Sequence, residues 1–173
     1  MSRSSAFLSE GPLEGCQGGL EGKDLHVAIL VSRYNAIITG RLLKGAKEAL
    51  LGHGVTLENC EIFTVPGCLE LPLLALKLAK SDDYDALVAL GAVIKGETAH
   101  FEYVCQESSA GLMRVALKTG LPIGFGVLTT YDEGQALERS GGRWGNKGEE
   151  AALVALEMAN LLRKIHKKKD SRQ

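Results

Sequence analysis

The chain has 173 residues, of which 45% are hydrophobic and 24% charged, and its formal net charge is −1. This length and composition suit one globular domain with a full core. The balanced charge argues against nucleic acid as the main partner, because a phosphate backbone usually needs a basic face. No apolar run approaches the roughly 18 residues that span a bilayer, and the N-terminus lacks the apolar core of a signal peptide, so the sequence predicts a cytoplasmic protein without membrane contact.

The first predicted element follows a weakly patterned segment, residues 1–24, which we expect to be a flexible lead-in. A short edge strand within it is left open. Residues 26–31, HVAILV, are typical of a buried strand. From Asn35 to about Gly52 the apolar residues recur at helical spacing, and glycines close the helix.

The middle of the chain repeats this strand-then-helix alternation. A strand is predicted over Glu61–Val65, followed by a turn into a helix that ends near Lys80. The nine apolar or small residues Ala86–Ile94 form the next predicted strand, and a long helix follows over His100–Lys118.

The last third predicts one more strand and two helices. The strand covers residues 123–129 and a short helix covers Asp132–Ser140. A glycine-rich loop, residues 141–148, then leads to a final helix over 149–165. Residues 167–173 are expected to be a basic polar tail.

Strand and helix alternate four times, which indicates right-handed βαβ units in an α/β domain over residues 25–166, with a four-stranded parallel sheet covered on both faces. Ligands bind such sheets at the carboxyl ends of the strands. The four cysteines match no metal or redox spacing, so the sequence predicts reduced thiols and no metal site.

The segment after Ile94 points to an anion site beside a proton-transfer group. A buried strand that ends at a glycine and opens into a helix presents free backbone N–H groups and the positive end of a helix dipole. Glu97, Thr98 and His100 are expected at the first turn of that helix. His100 is a candidate acid or base, with a cap or surface role as the alternative.

Other candidates also have two interpretations. Tyr34 is either a lid over the core edge or a stacking platform for a flat heterocycle. Glu70 is either a first-turn carboxylate favoured by the helix dipole or an acceptor for a ligand N–H. Arg139 and Lys147 flank the glycine-rich loop, where they are either solvated or bind a phosphate.

Several segments, in order, resemble the lumazine synthase family of riboflavin biosynthesis. They are SRYN (32–35), GAKEAL (45–50), VPGCLELP (65–72), GAVIKGETAHFEYV (91–104), FGVLT (125–129), QALERSGG (135–142) and GNKGEEAA (145–152). The resemblance implies a flavodoxin-like three-layer α/β/α sandwich. It also implies a transferase, 6,7-dimethyl-8-ribityllumazine synthase, that condenses 5-amino-6-ribitylaminouracil with 3,4-dihydroxy-2-butanone 4-phosphate and releases phosphate and water. Such enzymes need no cofactor.

The resemblance also implies roles for particular residues. His100 would be catalytic. The pyrimidine and ribityl pocket would be lined by Tyr34, Cys68, Leu69, Glu70, Ala92, Val93, Ile94 and Phe125. The phosphate would be bound by Glu97, Thr98, Arg139 and Lys147.

The family relationship further implies a homo-oligomer with active sites between adjacent subunits, so Phe125 would come from a neighbouring copy. A pentamer and an icosahedral shell are both open, and the lack of an insertion in the GNKG loop favours the shell. Riboflavin synthase is a candidate partner besides the small-molecule substrates. The alternative function is a non-catalytic flavin-binding or shell-forming protein on the same fold.

Overall fold

Four parallel strands form the central sheet of the computed structural model, which describes residues 15–170. The strands are β1 (Val27–Ser32), β2 (Cys60–Val65), β3 (Ala86–Ile94) and β4 (Ile123–Thr130), and they lie in the order β2-β1-β3-β4. Strand β2 lies on one side of β1, whereas β3 and β4 follow on the other side. The order of the strands therefore changes direction between β1 and β3, which is the switch point of a doubly wound sheet.

Five helices within residues 15–170 cover the sheet. They are α1 (Ala36–Gly52), α2 (Leu71–Leu78), α3 (His100–Thr119), α4 (Glu133–Arg139) and α5 (Lys147–Asp170). A single 3-10 turn, Cys68–Glu70, precedes α2, and a small antiparallel hairpin joins α4 to α5 through β5 (Ser140–Gly142) and β6 (Gly145–Asn146). The predicted flavodoxin-like three-layer α/β/α fold is confirmed.

The two faces of the sheet each support a hydrophobic cluster, because side chains alternate along a strand. In β1, Ile29 packs into the cluster beneath α1 and α5, whereas Leu30 packs into the cluster beneath α2 and α3. Both side chains are fully buried. This two-sided burial explains why β1 and β3 are almost continuously apolar.

The last helix and the segment before it differ from the sequence prediction. α5 starts two residues earlier than expected and continues to Asp170, into the segment expected to be a polar tail. Lysine and arginine are good helix formers, and cations are favoured near a helix C-terminus, so the basic sequence extends the helix. The predicted glycine-rich loop, residues 141–148, overlaps the β5–β6 hairpin, which begins at Ser140 and whose short strands carry no apolar alternation.

The described part of the lead-in, residues 15–24, contains no strand and lies against α5. The Asn160 side chain donates to the carbonyls of Gly19 and Glu21, each at 2.9 Å, and Lys164 Nζ donates to the Gln17 carbonyl at 2.7 Å. The sequence left open a short edge strand within residues 1–24. Residues 15–24 form no strand, and residues 1–14 lie outside the described part of the chain. Within residues 15–170, no helix has the length and apolar character needed to cross a membrane.

Candidate active site

The site lies where β3 extends past β1. The last residue pair between these strands is Val31 with Leu90, whereas β3 continues beside β4 as far as Ile94. The residues Gly91–Ile94, here called the β3 overhang, therefore have a neighbouring strand on one side only within the described sheet. The unpaired side opens a crevice at the carboxyl ends of the strands, where ligands bind in this architecture.

A cavity of about 410 Å³ fills this crevice. Its lining includes eight of the residues that the sequence nominated: Tyr34, Cys68, Leu69, Glu70, Ala92, Val93, Ile94 and His100. Three more residues complete the lining without having been predicted: Asn35, Gly67 and Val104. All three lie inside motifs quoted above, but their residue types alone carry no signal of a ligand role.

Tyr34 covers one side of the cavity and is 73% exposed. Its backbone N–H donates to the Pro66 carbonyl at 3.2 Å, which anchors it to the end of β2. The ring lies over Gly67, where an added Cβ would come within 3.3 Å of the ring carbon Cδ2. Because glycine has no Cβ, Gly67 leaves room for the Tyr34 ring. The exposed face of this ring can stack against a flat ligand.

Asn35, directly after Tyr34, has a left-handed backbone, with φ 56° and ψ 50°. Asparagine adopts this conformation more readily than most residues. Its Nδ2 donates to the Ala92 carbonyl at 2.9 Å, so the β1–α1 turn is tied to the β3 overhang.

Glu70 ends the 3-10 turn, and its carboxylate is held by the chain. Oε2 accepts from the Gly67 N–H at 2.8 Å, which closes this turn in the manner of a capping box. A carboxylate has two acceptor oxygens, so Oε1 can serve a ligand N–H or hydroxyl.

Cys68 forms the buried wall between the 3-10 turn and β3. Its thiol donates to Ser32 Oγ at 3.6 Å. Burial raises the pKa of the Cys68 thiol above its ordinary value and the Glu70 charge adds to this, although interactions with Ser32 and with the Ala92 backbone oppose it. The thiol is therefore neutral near pH 7 and acts as a packing group.

His100 is the first residue of α3 and lines the cavity. Glu97 and Thr98 lie before the helix, which corrects the expectation that they belong to its first turn. The reason is local: Ala99 takes the N-cap position, and Thr98 Oγ1 accepts from the His100 N–H at 3.5 Å. Both residues stand beside the helix N-terminus without lining the cavity.

Three further nominated residues lie away from the cavity. Phe125 is on the edge strand β4 and is 46% exposed. Arg139 ends α4, where Nη1 donates to the Gln135 carbonyl at 3.1 Å. Lys147 begins α5, and its Nζ pairs with Glu150 Oε2 at 2.6 Å. Their ligand roles, like those of the lining residues, stay predictions.

The GNKG motif has a structural role that the sequence did not indicate. Asn146 Oδ1 accepts from the N–H groups of Gly148 and Glu149, at 2.8 and 3.3 Å, and so caps α5. Its Nδ2 donates to the Arg41 carbonyl at 2.9 Å, which joins α5 to α1.

A parallel sheet with a cavity at the switch between neighbouring strands defines a flavodoxin-like α/β protein with a small-molecule site. A family model described as 6,7-dimethyl-8-ribityllumazine synthase matches residues 24–163. The chain therefore belongs to this family, whose members are enzymes of riboflavin biosynthesis, and the resemblance noted in the sequence is confirmed.

Proposed function

We propose that the protein condenses 5-amino-6-ribitylaminouracil with 3,4-dihydroxy-2-butanone 4-phosphate to give 6,7-dimethyl-8-ribityllumazine. The observation that carries this proposal is that Tyr34, Glu70, His100 and the β3 overhang all line the same cavity. An aromatic ring, a carboxylate, a titratable imidazole and an open strand edge are the groups that this pair of substrates requires.

The pyrimidine substrate fits the part of the cavity between Tyr34 and the β3 overhang. Its flat ring stacks on the exposed face of Tyr34. Apart from the Ala92 carbonyl, which accepts from Asn35, backbone N–H and C=O groups on the open side of the overhang are available to the donors and acceptors of a uracil edge. Glu70 Oε1 accepts from the ribityl hydroxyls, because its partner oxygen is already held by Gly67.

The second substrate fits near the start of α3, with its phosphate beside Glu97 and Thr98. Helix-start N–H groups favour an anion there, and Arg139 supplies the compensating cation. Because Arg139 does not line the cavity of its own chain, this contact requires a neighbouring copy or a movement of α4.

The reaction needs proton transfer more than strong electrophilic activation. The substrate amine attacks the ketone, and loss of water gives an imine. Phosphate then leaves, the ribitylamino nitrogen closes the ring on the carbonyl that results, and a second water departs. His100 takes and returns protons in these steps, a contribution worth about 10²–10⁴-fold in general.

Holding the two substrates together accounts for most of the remaining acceleration. Fixing two reactants in one site can contribute roughly 7–11 kcal/mol at its upper range. Removing His100 should therefore slow the reaction by about 10²- to 10⁴-fold, the size of the proton-transfer contribution, while the positioning effect survives the substitution.

The test is the absorbance assay for lumazine formation with wild type, His100→Ala and Arg139→Ala. We expect His100→Ala to lower kcat and Arg139→Ala to raise KM for the phosphate substrate. His166→Ala is the matched control, because His166 is exposed near the end of α5. Wild-type rates equal to the uncatalysed condensation would refute the proposal. Tight riboflavin binding without turnover would favour the non-catalytic alternative.

We also propose that Phe125 closes the cavity of a neighbouring subunit in a pentamer or a larger shell. A co-expressed equal mixture of His100→Ala and Phe125→Ala subunits would then regain about a quarter of the wild-type sites, since one intact neighbour pair in four carries both side chains. Activity no higher than the mean of the two single variants would place Phe125 and His100 in the same subunit's site.

A further inference from the structure

Asn35 occupies the N-cap position of α1 without capping the helix. Asparagine is favoured there because its side chain accepts a hydrogen bond from the second or third helical N–H. The Asn35 side chain forms no such bond, and its backbone is left-handed. Its Nδ2 instead donates to Ala92 O, 57 residues along the chain, at 2.9 Å. The Asn35 side chain therefore does not stabilise α1 as a cap would, and forms a contact at the cavity instead.

The acceptor of this bond belongs to the β3 overhang. Strand β1 pairs with β3 only as far as Leu90, so on that side the backbone of Ala92 has no strand partner among residues 15–170. The Asn35 amide takes the place of the missing strand at the carbonyl. The Asn35 side chain therefore holds the overhang where the sheet ladder does not.

The hydrogen bond from Asn35 to the Ala92 carbonyl also fixes the position of Tyr34 from one side. The N–H groups of Arg33 and Tyr34 donate to the carbonyls of Val65 and Pro66, at 2.9 and 3.2 Å, and so hold the turn against the end of β2. Asn35 holds the turn against β3. Tyr34 thus stands between two anchors, one on each strand that borders the crevice.

We infer that Asn35 is a positioning residue that sets the spacing between the Tyr34 ring and the β3 overhang, and thereby the affinity for the flat heterocyclic substrate. This inference rests on the proposed function for the identity of that substrate. Asn35 acts through Tyr34 and Ala92, so its loss weakens binding of the pyrimidine and leaves the phosphate substrate unaffected.

Two substitutions separate the side-chain bond from the backbone conformation. Asn35→Gly keeps the left-handed backbone without strain and removes the amide. Asn35→Asp keeps the size of the side chain but turns a carboxylate oxygen towards the Ala92 carbonyl, so two acceptors face each other. Losing one neutral hydrogen bond corresponds to about a 3- to 10-fold weaker interaction, and we expect a larger loss for Asn35→Asp.

Asp82→Gly is the matched control. Asp82 also has a left-handed backbone, with φ 60°, but it lies in the loop before β3, at the opposite end of that strand. Both variants replace a left-handed non-glycine residue by glycine, but only Asn35 lines the cavity.

The experiment measures the Kd of 5-amino-6-ribitylaminouracil by isothermal titration calorimetry, together with KM for each substrate, kcat and the thermal midpoint. We expect Asn35→Gly to raise the Kd and KM of the pyrimidine about 3- to 10-fold, with kcat and the KM of the butanone phosphate within about twofold.

A pyrimidine Kd for Asn35→Gly within twofold of the Asp82→Gly value would overturn the inference, even if the thermal midpoint fell. So would an equal rise in KM for both substrates. If Asn35→Gly does not fold, the same comparison is made with Asn35→Asp. A wild type that binds the pyrimidine but does not turn it over refutes the proposed reaction, and the Kd comparison still decides the role of Asn35.

Discussion

The contact between the Cys68 thiol and Gly91 of β3 allows a test of how tightly the cavity wall is packed. A Cβ added at Gly91 would lie 2.4 Å from Cys68 Sγ, about 1 Å short of an ordinary contact, whereas its next neighbours, Ser32 Oγ and Val127 Cγ1, are 3.3 and 3.4 Å away. The clash is therefore almost entirely with one sulfur atom. Gly91→Ala should be destabilising alone and tolerated when Cys68 is also alanine.

The expected magnitudes follow from core packing. Overpacking by one methyl group costs about 1–3 kcal/mol, and deleting the Cys68 sulfur costs about 1 kcal/mol through the void that it leaves. In the double variant the methyl group introduced at position 91 fills that void. We expect the double variant to be at least as stable as Gly91→Ala alone, which corresponds to a favourable coupling of about 1 kcal/mol or more.

Thermal unfolding measures this coupling at one fixed protein concentration, because the proposed association of subunits would make the midpoint concentration-dependent. For a chain of this size, 1 kcal/mol corresponds to about 2–4 °C in the midpoint. Light scattering on each variant checks that its association state equals that of the wild type. A double-variant shift equal to the sum of the two single shifts would refute the packing argument.

Two further predictions concern stability. Burial raises the pKa of the Cys60, Cys68 and Cys105 thiols above 9.0, so their neutral forms stabilise the fold below that pH and the contribution is lost as pH rises through the raised values. Thermal midpoints should fall above about pH 9, less steeply in Cys68→Ala, and equal slopes would contradict this origin. Asn146→Ala should lower the unfolding free energy by about 2 kcal/mol, because it removes the cap of α5 and the bond to α1, and a midpoint shift below about 1 °C would rule out this role.

The strands were the most predictable part of the fold. A run of nine apolar or small residues between Asp85 and Lys95 delimits β3 without ambiguity, and the structure has the same bounds. The end of α5 was less predictable, since a basic sequence is compatible with both a solvated tail and a helix terminus. The β5–β6 hairpin gave no signal, because its five strand residues are almost all small or polar.

The candidate site was predictable to the extent that topology assembles it. Tyr34, Glu70 and His100 follow three different strands, and the carboxyl ends of parallel strands meet at one edge of the sheet. The role of Asn35 could not be predicted, because its hydrogen-bond partner lies 57 residues away along the chain. The ion pair between Lys147 and Glu150, three residues later in the helix, was not predicted, and the phosphate-binding role of Lys147 stays a prediction.

The β3 overhang has a consequence for how ligand choice could change. Apart from the Asn35 amide on the Ala92 carbonyl, a molecule seated beside Ala92 and Ile94 meets peptide groups first, so it behaves as a further strand that completes the sheet. Every amino acid except proline, which lacks the N–H, provides the same peptide donor and acceptor. Substitutions along the overhang should therefore alter the shape of the cavity while its hydrogen-bonding pattern persists, and a new heterocycle would be accepted only if its edge reproduces that of a strand.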